Sequence, residues 1–280
     1  MRIITSVHAL QQEALRRRAA GERIGFVPTM GYLHRGHTSL MDLARPDCDW
    51  LVVSIFVNPL QFGPDEDLDR YPRDPDGDAQ KCEAAGVDVV FMPDDFYPTD
   101  RSTAVSVAGL SMGLCGADRP GHFDGVTTVV SRLFGVVQPT LAVFGEKDYQ
   151  QLAIIRRMVR DLAMPIEIRG GPLIRDDDGV AFSSRNRYLS TAQRRRARTL
   201  HRSLFAMRDH IAQSGLGADA ASALAVGRSI LDVDELDYLE IRDPVSLKPL
   251  DLIQGPARGF VAGRFGTTRL IDNLALELCP

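Results

Sequence analysis

The sequence predicts an α/β protein in which a doubly wound parallel sheet is followed by a smaller α+β domain. Two observations carry that prediction. Short β-branched runs ending in turn residues alternate with segments of helical periodicity through the first part of the chain, which is the pattern of a parallel sheet covered by helices on both faces. After Pro172 the texture changes to two Arg- and Ala-rich helical stretches and then several strand-like segments without strict alternation. The expected domains are residues 1–173 and 174–280.

The first eighteen residues, MRIITSVHALQQEALRRR, contain no apolar leader core and turn quickly into an amphipathic helical pattern. Residues 24–27 and 51–57 are β-branched runs suited to strands buried on both faces, and 87–92 and 141–144 read the same way. Residues 166–168 form a shorter candidate. Between them, residues 123–137 place Val126, Val129, Val130, Leu133, Phe134 and Val137 on one helical stripe. Residues 149–162 do the same with Leu152, Ile155, Met158, Val159 and Leu162. In the second domain, helices are expected over 191–214 and 217–231, and strands over 236–242, 259–264 and 270–272.

Composition narrows the function. The 280 residues are 44% hydrophobic and 25% charged, an ordinary soluble balance. The longest apolar run is far too short to cross a bilayer. A formal net charge of −4 gives no general attraction to nucleic acid or an anionic membrane, so any phosphate site must be built locally. The basic run 194–198 reads as a solvated helix face. Cys48, Cys82, Cys115 and Cys279 are scattered, with no CxxC and no His spacing suited to zinc, and read as reduced thiols of a cytoplasmic protein.

Four polar clusters stand at turns. The first, PTMGYLHRGH at residues 28–37, directly follows the first strong strand. A strand feeding a Gly-containing turn and a helix presents backbone N–H groups to an anion. His34 and His37 share a face in the helix's first turn, and Gly36 leaves room for a nucleotide. Taken alone, a His-x-x-His pair reads as two surface histidines near a cap; after a buried strand and Pro-Thr-Met-Gly it reads as a site. Neither GxGxxG nor GxxxxGK[ST] is present, so the usual dinucleotide and P-loop explanations fail.

The second cluster, Asn58 to Gln61, closes the next strand and offers neutral groups for a hydroxyl or carboxylate; alone it would be an Asn-Pro turn. The third runs from Gly145 to Gln151, opening a helix, with Lys147 a compact charge for a triphosphate and Gln151 one turn on. Salt-bridged capping residues are the plain alternative. The fourth, FSSRN at 182–186, sets two hydroxyls and a guanidinium in a loop able to hold phosphates. Paired with the upstream His-x-Gly-His element, it resembles the signature sequences of nucleotidylyl transferases.

In order and spacing, these runs together with YPR at 71–73 and RPGHF at 119–123 resemble the pantothenate synthetase family, closely over residues 24–190 and again at 238–243 and 270–273. The resemblance implies a Rossmann-like sheet of nucleotidylyl transferase type with a smaller C-terminal lid domain. It implies condensation of pantoate with β-alanine through a pantoyl adenylate, with ATP cleaved to AMP and pyrophosphate. It further implies that Mg2+ accompanies the ATP and that the assembly is a homodimer. Carried over by position, Met30, Gly31, Tyr32, Leu33, His34, Arg35, Gly36 and His37 would bind ATP, with His37 the proton donor and His34 beside it. Gly145, Glu146, Lys147, Asp148, Ile174, Phe182, Ser183, Ser184 and Arg185 would complete the nucleotide site, with Lys147, Ser183 and Arg185 counted among the catalytic groups. Gln61 would contact pantoate and β-alanine, Gln151 pantoate, and Asn58 and Arg119 would support that pocket. Phe182 and Trp50 depart from the family's usual Met or Leu and Val, without removing a polar group. No acidic cluster marks a Mg2+ site, so the ion is expected to ride on the phosphates.

Three rivals remain on the sequence. Another nucleotidylyl transferase acting on a phosphorylated precursor would call for more cationic groups than Asn58, Gln61 and Gln151 provide. A class I aminoacyl-tRNA synthetase would need room for an anticodon-binding domain. A silent nucleotide-binding regulator would not need His34, His37, Lys147 and Arg185 together.

Overall fold

The structure is a computed structural model and describes residues 1–64 and 66–276; Cys279, expected as a reduced thiol, lies outside the described residues. The chain divides into two compact units, one formed by Met1–Glu146 with Gln151–Pro172, the other by Lys147–Gln150 with Leu173–Pro280.

The first unit is built on strands β1 (Arg2–Ile4), β2 (Ile24–Thr29), β3 (Trp50–Ile55), β4 (Val89–Phe91), β5 (Leu141–Gly145) and β6 (Glu167–Gly171). All of their pairings are parallel, in the order β1-β4-β3-β2-β5-β6. The connecting helices are α1 (Val7–Ala19), α2 (Arg35–Ala44), α3 (Pro75–Ala84), a short α4 (Cys115–Asp118), α5 (His122–Val137) and α6 (Tyr149–Asp161). Strands β2, β3 and β4 run as continuous apolar stretches because they are covered on both faces: Ile24, Phe26, Val27, Leu51, Val52, Val53, Val89, Val90 and Phe91 are at 0% exposure. Burying each such side chain stabilises the fold by about 1.5–3 kcal/mol. Trp50 is buried too, with the Arg17 guanidinium 4.6 Å above its ring.

The chain winds outward from β2 through β3 to β4, then returns to place β5 on β2's other side. The topological switch point therefore lies between β2 and β5, where open sheets of this kind bind ligands beyond the strands' carboxyl ends.

The second unit holds α7 (Thr191–Ser214), β7 (Ala218–Asp219), α8 (Ala220–Arg228), β8 (Glu235–Arg242), β9 (Leu252–Ile253), β10 (Ala257–Phe265) and β11 (Thr268–Leu276). An antiparallel sheet β11-β10-β8 packs on α7 and α8 through Leu200, Leu204, Met207, Ala223, Leu239, Val261 and Phe265. Helix α7 starts at a capping box, where Ser190 Oγ accepts from the Gln193 amide and Gln193 Oε1 from the Ser190 amide.

The α/β reading and the α+β second domain hold. Three details differ. Strand β1 lies where only a run-up to a helix was expected, because three residues carry no period and pair only through β4. The helix expected from 217 begins at Ala220, after Ala218 and Asp219 pair with β9. The basic run of α7 is not simply solvated: Arg194 pairs with Asp176 and Asp178 at 2.6 and 2.7 Å, and Arg196 with Asp232 and Asp234 at 2.9 and 2.7 Å.

Candidate active site

In the first unit, the loops after β2 and β3 lie side by side, because the two strands pair in parallel with Thr29 opposite Ile55. The β2 loop is tightly shaped. Gly31 and Tyr32 both have positive φ, +83° and +51°. A Cβ on Gly31 would meet Ile55 Cγ2 at 2.9 Å, so a side chain is excluded there on space as well as on conformation. Asp78 of α3, 1% exposed, accepts the Tyr32 amide at 2.7 Å and the Leu33 amide at 2.6 Å. Burial pushes its carboxyl up, while the Leu33 and Tyr32 amides pull the other way. Both carboxyl oxygens thereby serve as acceptors for the loop's backbone. Asp78 is the anchor of this loop.

The loop delivers His34 as the N-cap of α2. His34 Nδ1 accepts the Gly36 amide at 3.2 Å, and His37 Nδ1 accepts the His34 amide at 3.3 Å. This is a capping box made from two imidazoles, whose rings stack at 4.0 Å between centroids. An amide N–H only donates, so each Nδ1 must be the lone-pair nitrogen and each neutral ring carries its proton on Nε2. Both histidines thereby become Nε2–H donors at a helix N-terminus, where the helix dipole adds positive potential. Met30, Gly31, Leu33, Arg35 and Gly36 share this segment, with Gly31 and Leu33 buried and Arg35 exposed.

Beyond β3, Asn58 to Gln61 form a single 3-10 turn capped by Asn58. Asn58 is 1% exposed and both of its side-chain polar atoms are engaged by the protein. Arg119 makes a two-pronged pair with Glu66, 2.6 Å on each arm, and reaches the Gln61 carbonyl at 3.3 Å. His122 Nδ1 lies 2.8 Å from that carbonyl, and its Nε2 3.0 Å from Arg119 Nη1. A carbonyl only accepts and a guanidinium only donates, so Nδ1 of His122 carries the proton and Nε2 accepts. Asn58 and Arg119, expected within the acid-binding set, both donate to Gln61, which is half-buried. Gln151, also half-buried, lies in the first turn of α6. Among the described residues Cys48, Cys82 and Cys115 are in no disulfide, and burial pushes the Cys82 thiol up to about 12.

The second unit carries the other set. Gly145 and Glu146 end the first unit's β5 segment, and Lys147 and Asp148 are counted with the second. Lys147 Nζ is 3.5 Å from Asp148, and its main-chain carbonyl accepts from Asn273 Nδ2 of β11 at 2.9 Å. Tyr149 packs on Phe260, with the Arg258 guanidinium 3.8 Å above its ring.

Residues 174–182 form a turn closed by the Phe182 amide on the Ile174 carbonyl. Arg175 makes a two-pronged pair with the buried Asp272, at 2.6 and 2.9 Å. Gly179, at φ +88°, lies so close to His201 that a Cβ would stand 2.2 Å from its ring. Burial, and then the Arg175 charge, holds the His201 imidazole below its usual range. Arg194 pulls the Asp178 carboxyl down by donating to it. Ser183 Oγ caps the following turn by accepting the Arg185 amide at 3.3 Å, and Ser184 is buried. The segment from Ile174 to Arg185 is thus braced within its own unit.

The sequence-nominated residues fall at strand ends, at helix starts or in and just after this braced turn, except Arg119, the C-cap of α4. Sequence reasoning passed over Asp78, Tyr97, Gly125 and the Arg119–His122 hold on Gln61. A lone Asp in a polar helix and a Tyr in a Pro-rich loop carry no local signal. Among the described residues no group of three or more His, Cys, Asp or Glu side chains gathers to hold a metal ion, and no helix is long and apolar enough to cross a membrane.

A family model described as pantoate-beta-alanine ligase matches residues 2–275. The pantothenate synthetase of Rhizorhabdus wittichii is 50% identical, with 100% of each chain covered. The crystal structure of pantothenate synthetase from Thermus thermophilus matches with a TM-score of 0.93 at 50% identity, covering 99% of each chain. The pantoate-β-alanine ligase of Francisella tularensis, crystallised with β-γ ATP and β-alanine, matches with a TM-score of 0.79 at 32% identity, covering 100% of this chain and 99% of that one.

Proposed function

The chain belongs to the pantoate-β-alanine ligase family and is an ATP-dependent ligase joining pantoate to β-alanine; from that premise we propose that it works through a pantoyl adenylate, with His34, His37, Lys147, Ser183 and Arg185 acting on the phosphates. The observation that carries this reading is the imidazole capping box. It makes both histidines Nε2–H donors at the start of α2, beside the switch point of the sheet.

A carboxylate does not condense with an amine at neutral pH, because oxide is a poor leaving group. In the proposed first step a pantoate carboxylate oxygen attacks the α-phosphorus, and the bond from that phosphorus to pyrophosphate breaks. Charge accumulates on the departing oxygens, where the histidine donors, Lys147 and Arg185 stabilise it without reorganising. In the second step the β-alanine amine attacks the acyl carbon, the bond to AMP breaks, and the nitrogen loses a proton. Met30, Gly31, Tyr32, Leu33, Arg35, Gly36, Gly145, Glu146, Asp148, Ile174, Phe182 and Ser184 line the nucleotide in this reading. Gln61 and Gln151 bind pantoate, Gln61 reaches β-alanine, and Asn58 and Arg119 hold Gln61 in place.

With no protein cage for a cation among the described residues, Mg2+ belongs on the ATP phosphates with few protein ligands, where it would screen their charge. A homodimer in the cytoplasm completes the proposal; family resemblance and the scattered thiols support it. Pyrophosphate–ATP exchange tests the reading. Exchange should require pantoate and Mg2+ but not β-alanine, and exchange seen only with β-alanine present would refute the two-step order.

A further inference from the structure

Two backbone groups of fixed polarity surround the Asn58 side chain. The Gly125 carbonyl, which can only accept, lies 3.1 Å from one end, and the Leu60 amide, which can only donate, 3.3 Å from the other. The first end must therefore be the NH2 and the second the oxygen. The other hydrogen of that NH2 meets Gln61 at 3.0 Å, so the Gln61 atom there must be its oxygen. Gln61's own NH2 then faces the opposite way, where a weak acceptor, Met30 Sδ, stands at 3.2 Å. Tyr97 completes the relay, donating its hydroxyl to Asn58 Oδ1 at 2.8 Å. Burial pushes that phenol up to about 12, so it remains a donor through the working range of pH. Its ring is held against Phe56 and Phe96, at 5.9 and 5.2 Å between centroids.

We propose that Tyr97, acting through Asn58, is a positioning residue that fixes the Gln61 side-chain amide as a hydrogen-bond donor to the acid substrate. The inference rests on the reading of Gln61 as an acid contact and adds its polarity. A glutamine free to flip presents either face. One locked with its NH2 outward matches a carboxylate or hydroxyl oxygen and meets a substrate ammonium donor to donor. The site thereby favours an oxygen acceptor of its substrates at this position over an ammonium group. Tyr97 touches no substrate in this scheme.

The test is a cycle of Tyr97→Phe, Gln61→Ala and the double variant, with Gln61→Glu alongside, all read as KM for pantoate, KM for ATP and kcat. Tyr97→Phe should raise the KM for pantoate by about two- to tenfold, the equivalent of one net hydrogen bond, and leave the KM for ATP unchanged. In the Gln61→Ala background that increment should vanish, an outcome that a general structural role for Tyr97 would not produce. Gln61→Glu, which accepts at both oxygens, should raise the KM for pantoate beyond Gln61→Ala. An unchanged KM in Tyr97→Phe, an equal effect in both backgrounds, or a wild-type KM in Gln61→Glu overturns the inference alone. A wild-type KM in Gln61→Ala overturns the reading of Gln61 as an acid contact, and the inference with it.

Discussion

Gly125 of α5 lies hard against the turn that carries Gln61, and replacing it by alanine separates positioning from folding. A Cβ there would stand 2.2 Å from the Leu60 carbonyl oxygen, 2.4 Å from its carbon and 2.7 Å from Gln61 Cα. All three are backbone atoms, so no side chain can swing aside. Restoring ordinary contact requires α5 and the 58–61 turn to part by roughly 1 Å, and overpacking of this kind costs about 1–3 kcal/mol. Alanine returns about 1 kcal/mol of helix propensity. The net loss of at most about 2 kcal/mol should lower the Tm by no more than roughly 8 °C.

Function should suffer more than stability. The Asn58 bond to the Gly125 carbonyl spans 3.1 Å and does not survive such a shift, and Gln61 moves with the turn. Misplacement by about 1 Å costs on the order of 100-fold in rate. Gly135→Ala on the same helix is the control, because nothing lies within 4 Å of a Cβ there. It should keep full activity and gain up to about 1 kcal/mol. Steady-state kinetics with pantoate varied, beside thermal melts, reads both effects. A Gly125→Ala enzyme that keeps the wild-type kcat/KM for pantoate would refute the reasoning.

Lys147→Ala should melt within about 0.5 kcal/mol of wild type, since its main chain is held by Asn273 whatever the side chain. It should lose on the order of 100- to 1000-fold in adenylation. Supplied with ready-made pantoyl adenylate, which lacks the outer phosphates, it should recover most of its amide-forming activity; a variant equally crippled with the intermediate sinks the assignment. Arg194→Ala probes the brace of the 174–182 turn through pH. Arg194 holds Asp178 below its unfolded value of 3.8, so the pair's stabilisation is complete above that pH and lost as pH falls through the lower folded value. The destabilisation by Arg194→Ala, read from urea melts, should be full at pH 7 and shrink below pH 3.8; a difference independent of pH would count against this brace.

What the chain could announce before folding is whatever local order expresses. Runs such as 51–57 mark strands buried on both faces, because a covered parallel strand needs apolar side chains in succession. The stripe from Val126 to Val137 marks α5, because a helix facing a sheet repeats near 3.6 residues. His34 and His37 could be nominated because a helix N-terminus after a strand is suited to an anion, and all its parts lie within ten residues. The rest came from contacts between distant segments. Three-residue β1 exists only by pairing with β4, and the order of strands follows from contacts that no short window contains. The tie from Asp78 to the Tyr32 and Leu33 amides spans 46 and 45 positions, and the Asn58 bonds to Tyr97 and Gly125 span 39 and 67. Periodicity reports which face of an element is buried, but not which distant polar group it meets. The residues that would do the chemistry could therefore be read from the chain, whereas those that aim them emerged only once it had folded.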